Sequence, residues 1–160
     1  MRKESIITTL VGTAAGAAVG AIAMAKSKEE ILVSRKKLLD KHFDLFMLMN
    51  QWLMIKQQNK DIVTYFHENN YKKIAIYGMS YVGERLYDEL AQSDIEVCYA
   101  IDKRGNDMYV DLDVYTLEDD LPEVDVIVVT AISFYDEIND KLAMITDIPA
   151  VSLEDIIYEL

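Results

Sequence analysis

Residues 72–103, KKIAIYGMSYVGERLYDELAQSDIEVCYAIDK, decide the fold. The run Ile74-Ala75-Ile76-Tyr77 predicts a strand, and it meets a glycine-flanked turn, Gly78-Met79-Ser80-Tyr81-Val82-Gly83. An amphipathic helix follows, then a second strand, Val97 to Ile101, that ends on Asp102. Strand, glycine turn, helix, strand and terminal acid are, in that order, the parts of a dinucleotide-binding βαβ unit. There a helix N-terminus faces phosphate and an acidic side chain about 20 residues on meets a ribose. A nucleotide-like ligand is the expectation this stretch raises.

The turn departs from G-x-G-x-x-G at one position. The second glycine, which lets pyrophosphate approach the backbone, is Ser80 here. Gly78 still permits the turn, Gly83 still lets the helix lie close to the strand, and a serine hydroxyl can meet a phosphate oxygen. The expected ligand contacts are Gly78, Met79, Ser80, Tyr81 and Gly83 for phosphate and Asp102 for ribose. Lys103 and Arg104 stand ready for an extra phosphate, so a 2′-phosphorylated ribose is compatible. The same glycines also suit a tight strand-to-helix junction with no ligand at all, and Asp102 suits a polar strand end.

Working outward, Lys103 to Asp113 predicts a polar loop and Val114-Tyr115 a brief strand. Thr116 to Asp119 predicts a short helical turn stopped by Pro122. The run VDVIVVT, Val124 to Thr130, is apolar without alternation, as in a parallel strand covered on both faces. Ser133 is expected to cap a helix from Phe134 to Ile145. Ala150-Val151 is the last strand, and Ser152 caps the closing helix. Strands alternating with helices and joined by right-handed crossovers predict an α/β fold, a five-stranded parallel sheet in the order 3-2-1-4-5. Thr130 and Ser133, at the carboxyl end of the fourth strand, should border the ligand crevice.

Ahead of this domain, 71–160, lie two segments of another kind. Residues 6–25 carry no charge, a length that suits a bilayer span. Gly12, Gly16 and Gly20 recur every four residues among alanines, leaving a helix face of nearly bare backbone that a second helix can approach. Residues 1–26 are therefore expected to be a hydrophobic glycine-zipper helix that spans the membrane and drives homo-oligomerisation. Lys26, Lys28, Arg35, Lys36 and Lys37 outnumber Arg2 and Lys3, which places the following side in the cytoplasm. Two other readings stay open: a signal peptide ending at Ala23-Met24-Ala25, and a soluble helix packed on its own copies.

Residues 27–70 predict a stalk and a docking helix. Ser27-Lys28-Glu29-Glu30 is a capping box, so a helix should begin there. Its apolar residues return in sevens, Ile31/Leu32, Leu38/Leu39, Leu45/Phe46 and Trp52/Leu53, with Met49 and Ile55 widening the face. Arg35, His42 and Lys56 interrupt the seam, which favours docking on another surface over a plain two-stranded zipper. The expected division is a solvated stalk to Lys41 and, from Phe43 to Ile55, a face that docks on the domain or on a second subunit. A short helix, Asp61 to Glu68, should end at Asn69-Asn70. Met47, Met49 and Met54 suit core filling, and neither His42 nor His67 has a second ligand at helical spacing, so no metal site is expected.

Charge divides the chain the same way. Residues 1–60 hold 10 Lys/Arg against 5 Asp/Glu, a balance of +5, while residues 61–160 hold 6 against 23, a balance of −17. A domain so acidic repels a phosphate backbone, which excludes nucleic acid as a partner, whereas the basic arm suits an anionic membrane surface. The single cysteine, Cys98, can form no internal disulfide, in keeping with a reducing compartment.

From Phe43 onward, with Trp52-Leu53 and Lys56-Gln57-Gln58 ahead of Tyr71-Lys72-Lys73-Ile74-Ala75-Ile76-Tyr77-Gly78-Met79, the chain resembles the small Rossmann-like modules of bacterial surface-polysaccharide biosynthesis. Residues 1–30 resemble the glycine-zipper segments of small bacterial membrane proteins. The first resemblance implies phosphate contact at Gly78, Met79, Ser80 and Tyr81 and ribose contact at Asp102. It implies NAD(P) or a nucleotide sugar as ligand and a glycosyltransferase as partner. A dehydrogenase would need a second, substrate-holding domain, and no Ser/His/Asp or Cys/His grouping is present. The expected function is thus a non-catalytic binding module on an oligomeric, membrane-attached stalk at the cytoplasmic side. One alternative is an NAD(P)- or nucleotide-sugar-dependent enzyme completed across a subunit boundary, using Tyr81 or Tyr135. Another is a self-assembling scaffold with an empty Rossmann domain.

Overall fold

The computed structural model describes the backbone of residues 2–104 and 111–160 and the side chains of residues 28–104 and 111–160. The chain forms two units, Met1–Phe43 and Asp44–Leu160. Residues 1–27, which hold the expected span and Gly12, Gly16 and Gly20, lie outside the described side chains, as does the middle of the loop 103–113. Among the described residues no helix is long and apolar enough to cross a membrane.

Helix α1 runs from Arg2 to Gln57. It does not begin at Ser27. The residues on either side of that serine are Ala, Met, Lys and Glu, all strong helix formers, so nothing there obliges the chain to leave the helix and the capping box is passed over. After α1, Asn59 takes φ 56°, in the left-handed region that suits Asn. The next helix, α2 (Ile62–Glu68), starts where the Asp61 carboxylate accepts the Val63 N–H and stops before Asn70, at φ 59°.

The sheet follows the expectation closely. Strands β1 (Lys73–Tyr77), β2 (Glu96–Ile101), β3 (Val114–Tyr115), β4 (Val126–Val129) and β5 (Ala150–Ser152) pair in the order β3-β2-β1-β4-β5. Every pairing is parallel. Helix α3 (Tyr81–Leu90) joins β1 to β2, α4 (Tyr135–Leu142) joins β4 to β5, and α5 (Leu153–Glu159) closes the chain. This is a minimal Rossmann-like domain. Two local expectations need correction. Thr116 to Asp119 forms a turn, not a helix, because the Asp119 carboxylate takes both the Thr116 N–H and its hydroxyl and folds the segment on itself. The helix expected at Phe134–Ile145 is a 3-10 turn, Ile132–Phe134, followed by the shorter α4, and Ser133 does not cap it.

Because side chains alternate across a strand, the sheet divides the core in two. Ile74, Ile76, Ala100, Val126 and Val128 face α3, α2, α5 and the end of α1. Ala75, Tyr77, Tyr99, Ile101, Ile127 and Val129 face α4 through Ile138 and Leu142. On the first face Leu48, Trp52 and Ile55 of α1 are buried within the same cluster, so of the two surfaces expected for the segment after Phe43 it is the domain that receives these residues. Trp52 Nε1 donates to Glu89 Oε2 of α3 at 2.9 Å, and Lys56 forms an ion pair with the other oxygen of the same carboxylate.

Candidate functional site

The central strand β1 ends at Tyr77, and its carboxyl end is where the strand order reverses, with β2 on one side and β4 on the other. That is the switch point at which open α/β sheets hold ligands. Gly78 follows at φ +96°, a backbone conformation that glycine alone adopts without strain. Its N–H still donates to the Ile101 carbonyl at 2.8 Å, so the chain leaves the sheet only after this residue. Met79 then sends its side chain inward, into the core beside Val82 and Leu86. Tyr81 points outward and is 86% exposed. Neither side chain plugs the bend.

Ser80 is the N-cap of α3, in extended conformation, and its hydroxyl makes no capping bond. The first intrahelical bond runs from the Glu84 N–H to the Ser80 carbonyl at 2.9 Å. The amides of Tyr81, Val82 and Gly83 come before it and have no carbonyl in their own helix to reach. Gly83 makes the geometry possible, since a Cβ there would sit 2.2 Å from the Gly78 carbonyl oxygen. Strand end and helix start are thus in backbone contact, the close packing assigned to the last glycine of the fingerprint.

Asp102 is tied into this turn. Its Oδ2 accepts the Met79 N–H at 3.1 Å, and its Oδ1 accepts the Arg104 N–H at 3.0 Å and Nε at 3.2 Å. Arg104 Nη2 also donates to the Met79 carbonyl at 3.2 Å, closing the ring. Burial disfavours the Asp102 carboxylate, but the hydrogen bonds from Arg104 and Met79 outweigh it and hold the group below its ordinary range. A ribose hydroxyl meeting Asp102 would therefore share a carboxylate already engaged at both oxygens. The Met79 amide, expected among the phosphate donors, is spent on the protein. Arg104 is the residue whose position the sequence left least defined: it holds a guanidinium against the glycine turn, two residues beyond the acid that anchors it.

Thr130 does not border the crevice. It is 1% exposed, and its hydroxyl donates to the carbonyls of Tyr77 and Gly78 while its N–H donates to Tyr77 as well. The physical reason is the abrupt departure of the chain at Gly78, which leaves carbonyls that a buried donor has to satisfy. Ser133 lies in the 3-10 turn after β4, where its hydroxyl donates to Asp44 Oδ2 at 3.3 Å.

Two depressions flank the turn at the carboxyl edge of the sheet. One, of 270 Å³, is lined by Tyr77, Asp102, Lys103, Thr116 and Glu118, on the β2/β3 side. The other, of 390 Å³, is lined by Ser133, Tyr135, Ser152, Glu154 and Asp155, on the β4/β5 side. There burial first, and then the carboxylates of Asp44 and Asp155, push the Glu154 carboxyl above its ordinary range. The Tyr135 hydroxyl donates to the Ala150 carbonyl at 2.9 Å. A larger depression of 660 Å³ lies away from the turn, between Trp52 and Leu53 of α1 and Arg85 and Glu89 of α3.

No family model, curated protein or solved structure matches this chain. The arrangement of the site therefore rests on its own geometry. Among the described residues no group of three His, Cys, Asp or Glu side chains is placed to hold a metal ion. What the turn offers chemically is a set of helix-terminal amides with a positive dipole end, one guanidinium and a hydroxyl at Ser80, a combination that suits an anion.

Proposed function

We propose that this chain is a non-catalytic binding module for a nucleotide, a dinucleotide such as NAD(P), or a nucleotide sugar. One observation carries the reading: the start of α3 is unplugged and uncapped at the switch point of the sheet. A phosphate would sit on the amides of Tyr81, Val82 and Gly83, with Ser80 and Arg104 alongside. The base and ribose would take the β2/β3 depression beside Asp102 and Lys103. A second moiety, sugar or nicotinamide, would take the β4/β5 depression by Ser133 and Glu154, whose carboxylate suits sugar hydroxyls. The acidic domain tolerates such a ligand because the helix dipole acts locally, within the first turn.

The setting we propose is surface-polysaccharide assembly at the cytoplasmic face of a membrane, with the module displayed as an oligomer beside a glycosyltransferase. The uncharged run of residues 6–25 and the basic arm support attachment, and the likeness from Phe43 onward supports the pathway.

The test is a substitution that removes one amide and little else. Tyr81 is the first residue of α3 and is exposed, a position where proline fits a helix and merely deletes an N–H. A panel of NAD, NADP and uridine-diphosphate sugars is screened by thermal shift. A true ligand at 100 times its dissociation constant stabilises by about 2.7 kcal/mol. Tyr81→Pro should keep the melting temperature of the free protein and abolish that shift. A shift that survives in Tyr81→Pro removes the α3 N-terminus from the site. No shift with any member of the panel favours the scaffold reading, which the internal engagement of Met79 and Asp102 supports.

A further inference from the structure

An acidic side chain that recognises a ribose in a dinucleotide fold does so by accepting hydrogen bonds from the sugar hydroxyls, which needs open lone pairs on the carboxylate. Asp102 has the right place for this, at the end of β2, and little capacity left for it. A carboxylate offers about four acceptor sites. Three are filled from within the chain: Oδ2 takes the Met79 N–H, and Oδ1 takes both the backbone N–H and the Nε of Arg104. The Asp102 side chain is 14% exposed, against 59% for that of Arg104. The acid is thus the covered member of the pair, and the cation is the member that meets solvent.

Arg104 is held twice. Its Nε donates to Asp102 and its Nη2 to the Met79 carbonyl at 3.2 Å, so a side chain and the main chain together fix the plane of the guanidinium against the turn. These contacts use two of the five N–H donors of the group, which leaves three for a ligand. Met79 immediately precedes Ser80, the N-cap of α3, and the fork therefore stands beside the start of that helix. A planar guanidinium matches phosphate oxygens in pairs, and one already fixed loses little freedom on binding. Bracing the turn needs only the bond from Met79 to Oδ2; both bonds to Oδ1 serve Arg104.

We infer that Asp102 is a positioning residue and Arg104 the specificity-determining one: the acid fixes the guanidinium so that it grips a phosphate of the ligand, and does not itself recognise the ribose. The ligand class that follows is a nucleoside diphosphate group selected through its phosphates, with ribose and deoxyribose accepted alike. This names the selected group within the ligand proposed above and stands only if that ligand binds at α3.

The test uses the full chain and four probes, ADP, UDP and their 2′-deoxy counterparts, titrated by calorimetry. Each ribose and deoxyribose pair should bind with dissociation constants within about five-fold of each other, since at most one shared hydrogen bond is at stake. Arg104→Gln should weaken ADP about ten-fold or more, the loss of a charge-assisted hydrogen bond. Asp102→Asn, whose side-chain oxygen can still take the Met79 N–H, should weaken ADP in the parent protein but not in the Arg104→Gln background, because the acid acts only through the arginine. A larger ribose preference in the parent, or equal losses from Asp102→Asn in both backgrounds, would overturn the inference and leave the binding proposal standing. Unchanged affinity in Arg104→Gln would overturn it as well. If neither diphosphate binds the parent protein, the α3 site falls and this inference with it. Should Asp102→Asn fail to fold, the parent and Arg104→Gln titrations decide alone.

Discussion

Two glycines five residues apart in one sequence motif, Gly78 and Gly83, do different physical work. Gly78 is needed for its φ of +96°, and an added Cβ would meet the Thr130 hydroxyl at 2.9 Å, the end of a side chain. Gly83 has ordinary helical backbone, but its Cβ would meet a carbonyl oxygen at 2.2 Å, which only a shift of helix against strand can relieve. Gly78→Ala should cost about 1–2 kcal/mol, the penalty of the left-handed region. Gly83→Ala should cost more, at or above the roughly 1–3 kcal/mol typical of overpacking, because main chain cannot rotate away as a side chain can. Urea unfolding of both variants checks the order. If Gly78→Ala proves the more damaging, the contact between α3 and the end of β1 is looser than described. The comparison also shows why Gly78, the obvious residue to alter from the sequence, is a poor probe of binding: its loss strains the turn whether or not a ligand is there.

At the scale of elements, α1 shows what a sequence pattern can and cannot convey. The apolar run and β-branched content of each strand were enough to place all five, and the order of strands and helices was enough for the topology. Heptad spacing was legible too, yet two adjacent columns share that spacing, and only packing decides which one the sheet takes. The same limit applies at the site. Asp102 and Thr130 were found by position, but their hydrogen bonds to Met79, Tyr77 and Gly78 depend on where distant carbonyls and amides converge, which no local pattern encodes. Trp52→Ala should therefore cost about 3–5 kcal/mol, as for a buried aromatic, and also strand the Glu89 carboxylate without its indole donor. Leu53→Ala, one residue on, should stay within about 0.5 kcal/mol at protein concentrations too low for association. Chemical denaturation of the two variants tests the assignment of faces, and comparable losses would mean that the exposed column is also packed.

For the molecule as a whole, the question is how much chain the Rossmann-like unit needs in order to fold. Its two core clusters draw on residues from Leu45 to Leu160 and on nothing earlier among the described residues. The second unit accordingly begins at Asp44, within α1 rather than at its end. A variant beginning at Asp44 should melt within about 2 °C of the full chain, since a larger shift would require a loss near 0.5 kcal/mol or more for a domain of this size. A variant beginning at Gln58 lacks Leu48, Trp52 and Ile55, each a buried side chain whose removal costs about 2–5 kcal/mol. Together they rival the total stability of about 5–15 kcal/mol that a domain has, so this shorter chain should be unfolded or molten at 25 °C. Circular dichroism and thermal melts of the two truncations decide the matter. A cooperative fold in the Gln58 variant would show that the end of α1 leans on the domain without completing it, and the boundary at Asp44 would lose its physical meaning.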